Sequence, residues 1–230
     1  MTGNDLLLEV CVESLGDAVR AIEAGADRIE YCSALALGGL TPTPGALARI
    51  SGLDAPCMVM IRPRPGDFCY DASECTLMKH EIALARDHGA AGVVFGACDK
   101  DGNLDVAVLR DLIAECDGLQ TTLHRAFDVV ADQSRALEQA VVLGFDRILT
   151  SGGASDALSG RDQIAKLQKQ ANGRIMILPG AGVSAANAGE ILRITGAIEL
   201  HASCKADGGE DGRICVDPAR VTALKEAMRQ

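Results

Sequence analysis

The sequence has no tryptophan and few aromatic residues of any kind. Its 230 residues include four phenylalanines and two tyrosines, whereas hydrophobic residues make up 48% of the chain. The core must therefore be built mainly from aliphatic side chains. Five of the six aromatic residues lie at or just after apolar segments, a position that favours the rim of a pocket over a core: Tyr31, Phe68, Tyr70, Phe95 and Phe127.

Positive charge is also scarce. Lysine and arginine number 22 against 32 aspartates and glutamates, which gives a formal net charge of −10. This balance argues against non-specific binding to nucleic acid, which needs a basic surface, and against docking on anionic membranes. The sequence lacks the run of about 18 apolar residues that crosses a bilayer, and its first residues lack the basic start of a secretory signal. We therefore expect a cytosolic protein that binds neither nucleic acid nor membrane.

Several motifs that define common active sites are missing. The nine cysteines contain no Cys-x-x-Cys pair, and in a cytosolic chain they should stay reduced, so no disulfide framework is expected. No Gly-x-x-x-x-Gly-Lys segment occurs, which excludes a P-loop nucleotide enzyme. The first apolar segment is not followed by Gly-x-Gly-x-x-Gly, which disfavours an open dinucleotide-binding sheet. No lysine ends an apolar segment, which disfavours a Schiff-base aldolase.

Short apolar segments alternate with helical patterns along the chain. The apolar segments predict strands at 6–12, 28–32, 57–61, 91–95, 119–124, 147–150, 174–178 and 197–200. The segments between and after them predict helices at 14–24, 43–51, 73–88, 104–116, 133–143, 161–171, 185–194 and 218–229. No strand alternates polar and apolar residues, which indicates a parallel sheet buried on both faces. Eight such units predict one TIM-like (β/α)8 barrel domain over residues 1–230.

Polar side chains gather at the carboxyl ends of the predicted strands, where active sites form in barrels of this type. Strands one, two and eight carry the pairs Glu9/Cys11, Glu30/Cys32 and Glu199/His201. Side chains two positions apart share one face of a strand, so we expect a layer of carboxylates beneath a layer of two thiols and an imidazole. Such ligands suit Cu(I) or Zn(II). The spacing alone favours the alternative that Cys11 and Cys32 are packing residues.

A second polar group is cationic. It follows strands three and five and consists of Arg62, Arg64, His124 and Arg125. Converging arginines bind carboxylate or phosphate, so we consider an enzyme that acts on a small anionic substrate. His124 would be the general acid or base, oriented by Asp128, or else a structural histidine. Glu9 and Glu30 are further candidate substrate contacts, or else they neutralise the arginines in a buried network.

Two glycine-rich turns point to the same anion site. Thr150-Ser151-Gly152-Gly153 and Pro179-Gly180-Ala181-Gly182 follow strands six and seven, where such barrels often hold phosphate on backbone N–H groups. We therefore expect anion contacts from Ser151, Gly152, Gly153, Gly180 and Gly182. Short turns between a strand and a helix also require glycine for steric reasons, so the pattern has a second explanation.

Taken together, several segments resemble one family. LEVCVES, GADRIEYCSALALGGLTP, MIRPRPGDF, TLHRAFD, ILTSGG and LPGAGV occur in order between about residue 6 and the HAS at 201–203, and they closely resemble the CutC family, named for copper homeostasis. The resemblance implies a TIM-barrel-like, cytosolic homo-oligomer, a dimer or tetramer. It also implies binding of copper through Cys11 and Cys32. From its position and chemistry we add His201 as a further candidate ligand and expect the ion to be Cu(I). The enzyme on an anionic substrate remains the alternative.

Overall fold

The strands form a nearly closed parallel barrel. The computed structural model of the chain describes residues 6–206 and 215–229. The eight barrel strands are β1 Leu7–Val12, β2 Arg28–Tyr31, β3 Cys57–Met60, β4 Gly92–Phe95, β5 Gln120–Leu123, β6 Arg147–Thr150, β7 Met176–Pro179 and β8 Glu199–Ala202. They pair in the order β7-β6-β5-β4-β3-β2-β1-β8, every pair parallel. The predicted (β/α)8 barrel is confirmed.

Helices follow the strands and cover the barrel. They are α1 Leu15–Glu23, α2 Pro44–Leu47, α3 Ala72–Asp87, α4 Val106–Ala114, α5 Gln133–Leu143, α6 Arg161–Ala171, α7 Ala188–Thr195 and α8 Pro218–Ala227. Before α8, β9 (Lys205–Ala206) and β10 (Cys215–Val216) pair in antiparallel orientation. Within residues 6–206 and 215–229, none of the helices has the length and apolarity needed to cross a membrane.

Two elements differ from the sequence-based prediction in ways that matter for the site. The predicted helix 43–51 is reduced to α2 and a 3₁₀ turn at Ile50–Gly52. The last barrel strand begins at Glu199 and not at 197, because α7 extends to Thr195 and Gly196 turns the chain with a φ of 70°. The next two residues then carry the chain back to the barrel. His201 consequently lies inside a strand and not in the loop that follows it.

The barrel has an aliphatic core outside and a smaller, sulfur-rich core inside. Between strands and helices the packing is dominated by Val, Leu, Ile and Ala. Inside the barrel, Cys32, Met58, Met60 and Val94 form a separate buried cluster. The expectation that aromatic residues mark a pocket rim is wrong for Tyr31, Phe95 and Phe127, which are buried in the outer core. Tyr31 and Phe95 lie on strands and Phe127 lies in the 3₁₀ turn Arg125–Asp128, and all three pack in the larger core.

A buried ionic layer crosses the interior of the barrel. Arg28 of β2 donates to Glu9 of β1 through Nε and to Glu199 of β8 through Nη2, the latter at 2.6 Å. Arg147 of β6 donates to the same Glu199 oxygen at 3.1 Å. Arg28 is 3% exposed and Glu9 is 1% exposed. The partner of Glu9 is thus Arg28, and not one of the arginines that follow strands three and five.

Replacement of Arg28 by alanine tests the weight of this layer. The change leaves buried Glu9 without its cation and Glu199 with Arg147 alone, and breaking a buried pair in this way costs about 3–5 kcal/mol. Urea unfolding followed by circular dichroism measures the loss. Arg174→Ala is the matched control, since Arg174 pairs with Glu138 on the exposed surface, where water screens the charges. An Arg28→Ala protein as stable as the control would contradict this interpretation.

Candidate functional site at the barrel mouth

The carboxyl ends of the strands surround a cavity of about 520 Å³. Residues from both predicted polar groups line it, namely Cys11, Glu30, Arg62, His124, Arg125, Asp128, Gly182 and His201. The other wall is apolar and includes Leu35, Leu37, Met60, Phe68, Val129, Leu149 and Val183. The strand ends therefore bring the predicted thiol, imidazole and guanidinium chemistry to one place.

Three potential metal ligands converge in this cavity. One ligand atom from each of Cys11, Glu30 and His201 lies within 4.8 Å of the other two. Strand register explains part of the grouping, because Cys11 pairs with Glu30 across β1 and β2. His201, whose register partner on β1 is Glu9, joins the group through its contact with Glu30. The expected carboxylate layer is found for Glu9 and Glu199, which share Arg28, but not for Glu30, which lies with Cys11 and His201. Barrel strands are tilted and staggered, so equal spacing within strands does not give equal height.

Glu30 is the shared acceptor of the cluster. Its Oε2 atom lies 2.9 Å from His201 Nε2 and 3.6 Å from Cys32 Sγ. Burial disfavours the charged forms, yet the imidazole holds the pKa of Glu30 below its ordinary value and the carboxylate holds the pKa of His201 well above its own. Burial and the Glu30 charge raise the pKa of Cys32 well above its ordinary value. Cys32 is thus a neutral thiol beside an ion pair and lies outside the group of three.

Two glycines make room for the imidazoles. A Cβ atom on Gly96 would lie 2.7 Å from His124 Nδ1. A Cβ atom on Gly180 would lie 2.5 Å from Leu149 Cδ1 and 3.2 Å from His201 Nδ1. The second glycine-rich turn therefore has a steric role at Gly180. Gly182, with a φ of 68°, lines the cavity itself.

His124 is held in one tautomer. Its Nδ1 atom accepts a hydrogen bond from the backbone N–H of Ala126 at 3.2 Å, so the proton of the neutral ring is on Nε2. Burial, together with the charge of Arg62, lowers the pKa of His124 to about 4. Within the described part of the chain, Nε2 has no hydrogen-bond partner. His124 is therefore a neutral donor.

Asp128 occupies the first glycine-rich turn. Its carboxylate accepts from Thr150 Oγ1 at 2.5 Å and from the backbone N–H groups of Ser151 and Gly153, each at 3.1 Å. The amide of Gly152 donates to Thr150 Oγ1 at 2.8 Å. The turn expected to hold a ligand's anion thus holds the chain's own carboxylate. The hydrogen bonds of Asp128 run to this turn and to Arg125, and not to His124.

This carboxylate fixes Arg125 at the edge of the cavity. Arg125 Nε donates to Asp128 at 2.7 Å and Nη2 donates to Ser151 Oγ at 2.9 Å. The Arg125 side chain is still 44% exposed and lines the cavity. Asp128 is a positioning group for a guanidinium that remains accessible.

The other two arginines hold loops. Arg62 is 5% exposed and donates to the carbonyl oxygens of Leu37 and Gly66, each at 2.9 Å. Its guanidinium also lies over Phe68, 4.9 Å from the ring centroid. Arg64 donates to Glu74 at 2.5 Å and lies outside the cavity lining. Arg125 is accordingly the accessible member of the predicted cationic group.

The apolar wall of the cavity was not predicted from the sequence. Met60 shares the inward face of β3 with Arg62 two positions later, which is a period-two signal that the sequence contained. Leu35 and Leu37 belong to a 3₁₀ turn that no periodicity announces. Glu30 was predicted in the group with the thiols and His201 and also as a substrate contact or counter-ion near the arginines, and it pairs with His201.

Comparison with known proteins identifies the relatives of this chain. The model of the CutC family matches residues 6–206. The chain belongs to the CutC family. A CutC family protein of Caulobacter vibrioides is 52% identical over 203 residues, covering 88% of this chain and 83% of that protein. The human copper homeostasis protein cutC homolog is 48% identical over 204 residues, covering 88% of this chain and 75% of the human protein.

Solved structures give the same result. A putative copper homeostasis protein CutC from Streptococcus agalactiae superposes with a TM-score of 0.82 at 33% identity, covering 86% of this chain and 98% of that one. Phosphoribosylanthranilate isomerase from Thermotoga maritima superposes with a TM-score of 0.59 at 14% identity, covering 97% of this chain and 98% of that one. At that identity the second likeness shows the barrel fold alone.

The state of His124 can be tested directly. Long-range ¹H–¹⁵N spectra should show a neutral, Nε2-protonated ring that begins to titrate only near its pKa of about 4, because burial opposes the charged form. His124→Gln identifies the signal. A ring that becomes charged near the ordinary histidine value of about 6.5 would contradict the assignment.

The same pKa predicts a pH effect on stability. Between about pH 4 and 6.5 the unfolded state binds more protons at this residue than the folded state, so the contribution of His124 to stability falls as the pH falls through that window. Relative to wild type, His124→Gln should therefore lose less stability between pH 7 and pH 4. Urea midpoints measured across this range check it, and parallel pH profiles for the two proteins would contradict it.

Proposed function

We propose that this CutC family chain serves copper homeostasis by binding copper as Cu(I) at Cys11 and His201 in the barrel mouth. The single observation that carries the proposal is the convergence of Cys11, Glu30 and His201 within 4.8 Å of one another. The names of curated relatives, including the human copper homeostasis protein cutC homolog, supply the link to copper.

The chemistry of the surroundings favours a soft ion. Thiolate, thioether and imidazole ligands suit Cu(I), whereas hard cations prefer oxygen. Besides Cys11 and His201, the cavity and its buried floor contain Met60 and Cys32. Such an inner surface fits Cu(I) better than Mg²⁺ or Ca²⁺.

Glu30 has a supporting role in this proposal. Metal-bound histidines usually donate their second N–H to a carboxylate, which fixes the ring and strengthens it as a ligand. Glu30 takes this position at Nε2 of His201, which leaves Nδ1, on the Gly180 side of the ring, as the nitrogen for copper. It also accepts a hydrogen bond from the thiol of Cys32. In this proposal Cys32 is an additional sulfur ligand for copper. Because ligands must lose their protons, copper binding here should release protons to solvent.

The proposal extends to location and assembly. Nine cysteines, all free thiols, suit the reducing conditions of the cytoplasm. The resemblance to the CutC family adds the expectation of a homo-oligomer. We therefore propose a cytoplasmic homo-oligomer, a dimer or tetramer, which light scattering on purified protein tests.

Competition titration tests the copper site. Under anaerobic conditions Cu(I) is titrated into the protein against bicinchoninate, and Cys11→Ser should weaken binding by at least about a hundredfold, since even supporting residues of a metal site contribute 10–100-fold. Cys32→Ser should weaken it by about tenfold. Excess Zn(II) in a parallel titration distinguishes the metals.

Cys116→Ser is the matched control. Cys116 is also buried, at the end of α4, where its sulfur lies 3.3 Å from the carbonyl oxygen of Leu112. Its replacement should leave Cu(I) affinity unchanged. If Cys11→Ser binds Cu(I) as tightly as this control, or if Zn(II) displaces Cu(I) readily, the proposed site is wrong.

A further inference from the structure

The cavity is much larger than a metal ion requires. Its volume is about 520 Å³, within the range of roughly 300–1,000 Å³ that is usual for small-molecule sites. Six apolar side chains form much of its wall: Leu35, Leu37, Phe68, Val129, Leu149 and Val183. Copper has no use for such a wall, because a metal ion is held by a few donor atoms at short distances. The remaining space suits an organic molecule with an apolar body.

His124 provides one directional contact for such a molecule. The residue lines the cavity, is 3% exposed and carries its proton on Nε2. That N–H has no acceptor within residues 6–206 and 215–229, and leaving a buried donor unpaired costs about 1–3 kcal/mol. Gly96 omits a side chain where a Cβ would clash with this ring. The arrangement calls for an acceptor, and an uncharged oxygen suits a neutral imidazole.

Glu30 adds an acceptor to the same cavity. Its Oε2 is used by His201 and Cys32, while Oε1 is buried and has no hydrogen-bond donor in the described ranges. A hydroxyl group both accepts and donates, so it has the chemistry that each of these two atoms lacks. A carbonyl oxygen would satisfy His124 alone. Either group is an uncharged oxygen.

Arg125 provides a contact of a different kind. Its Nε and Nη2 atoms are held by Asp128 and Ser151, so the guanidinium is fixed before any ligand arrives. Among the residues that the structure describes, none accepts a hydrogen bond from Nη1 of Arg125. The side chain is half-exposed and lines the cavity. A preorganised guanidinium of this kind favours carboxylate or phosphate.

We propose that the barrel mouth also binds a small organic acid, through residues other than those proposed for copper. The acid has a short apolar body that packs against the six apolar side chains of the wall. Its carbonyl or hydroxyl oxygen accepts from His124 Nε2–H, and its carboxylate or phosphate binds Arg125. The anion expected from the sequence is thus received by one arginine, because Arg62 and Arg64 hold loops and Asp128 fills the glycine-rich turn.

A matched set of probes tests this directly. α-Ketoisocaproate carries all three features, isocaproate lacks the ketone oxygen, and methyl isobutyl ketone lacks the carboxylate. In NMR titrations of chelator-treated protein, α-ketoisocaproate should bind at least about tenfold more tightly than either control. Each control lacks one hydrogen bond to the protein, and the loss of one such bond weakens binding by about this factor. Shift changes should centre on Gly96, His124 and Arg125. Tighter binding of hydroxyacetone phosphate would assign phosphate as the anion.

Variants separate this site from the copper site. Arg125→Gln should remove the preference for α-ketoisocaproate over the ketone and leave Cu(I) affinity unchanged, and Cys11→Ser should do the opposite. Arg174→Gln, on the outer surface, should change neither. His124→Phe should remove the preference over isocaproate, and Arg125→Gln keeps the test decisive if that buried change prevents folding.

Three results would overturn the proposal. One is that neither α-ketoisocaproate nor hydroxyacetone phosphate shifts the resonances of the mouth at millimolar concentration. Another is that isocaproate and the ketone bind as tightly as the keto acid. The third is that Arg125→Gln binds α-ketoisocaproate like wild type. Loss of copper binding alone would leave this proposal intact.

Discussion

The buried guanidinium of Arg28 is the interaction on which the barrel depends. It joins Glu9 of β1 to Glu199 of β8 across the place where the first and last strands meet. Each ion would lose several kcal/mol of hydration if buried alone, so Arg28 and Glu9 are buried as partners, and Glu199 is buried with both Arg28 and Arg147. Shifting a strand by one residue would turn its side chains to the other face. The layer therefore favours one register, and that register brings Cys11 level with Glu30 and Glu9 level with His201.

The fold could be predicted from the sequence because it depends on patterns that extend over only a few residues. Strands buried on both faces, helices between them and polar residues at the strand ends are all visible within a few positions. The position of a side chain along the barrel axis is not visible in this way, because it depends on the tilt of the strands. Cys11 and His201 were correctly expected to meet, but Cys32 with the same spacing lies one step outside the group. Glu30 takes the place that spacing had given to Cys32.

The sequence predicted that the first glycine-rich turn binds an anionic group, but it did not show which group that is. A glycine-rich turn with free N–H groups attracts a carboxylate, and nothing in its composition shows whether the carboxylate is a ligand's or the chain's own. Here Asp128 supplies it. Arg62 is a similar case, since its donors meet the carbonyl oxygens of the loops beside it. These internal contacts keep the mouth in shape and leave Arg125 as the accessible cation.

The closing of β1 on β8 has a kinetic consequence. Glu30 and His201, which touch in the mouth, are 171 positions apart in the chain, and contacts of such long range form late because the intervening chain must first be ordered. The mouth cannot exist in a half-formed barrel, whatever local structure β1 and β2 have gained. A ligand that contacts residues on both sides of the β1–β8 pairing stabilises contacts that form late in folding. It should therefore slow unfolding more than it speeds folding.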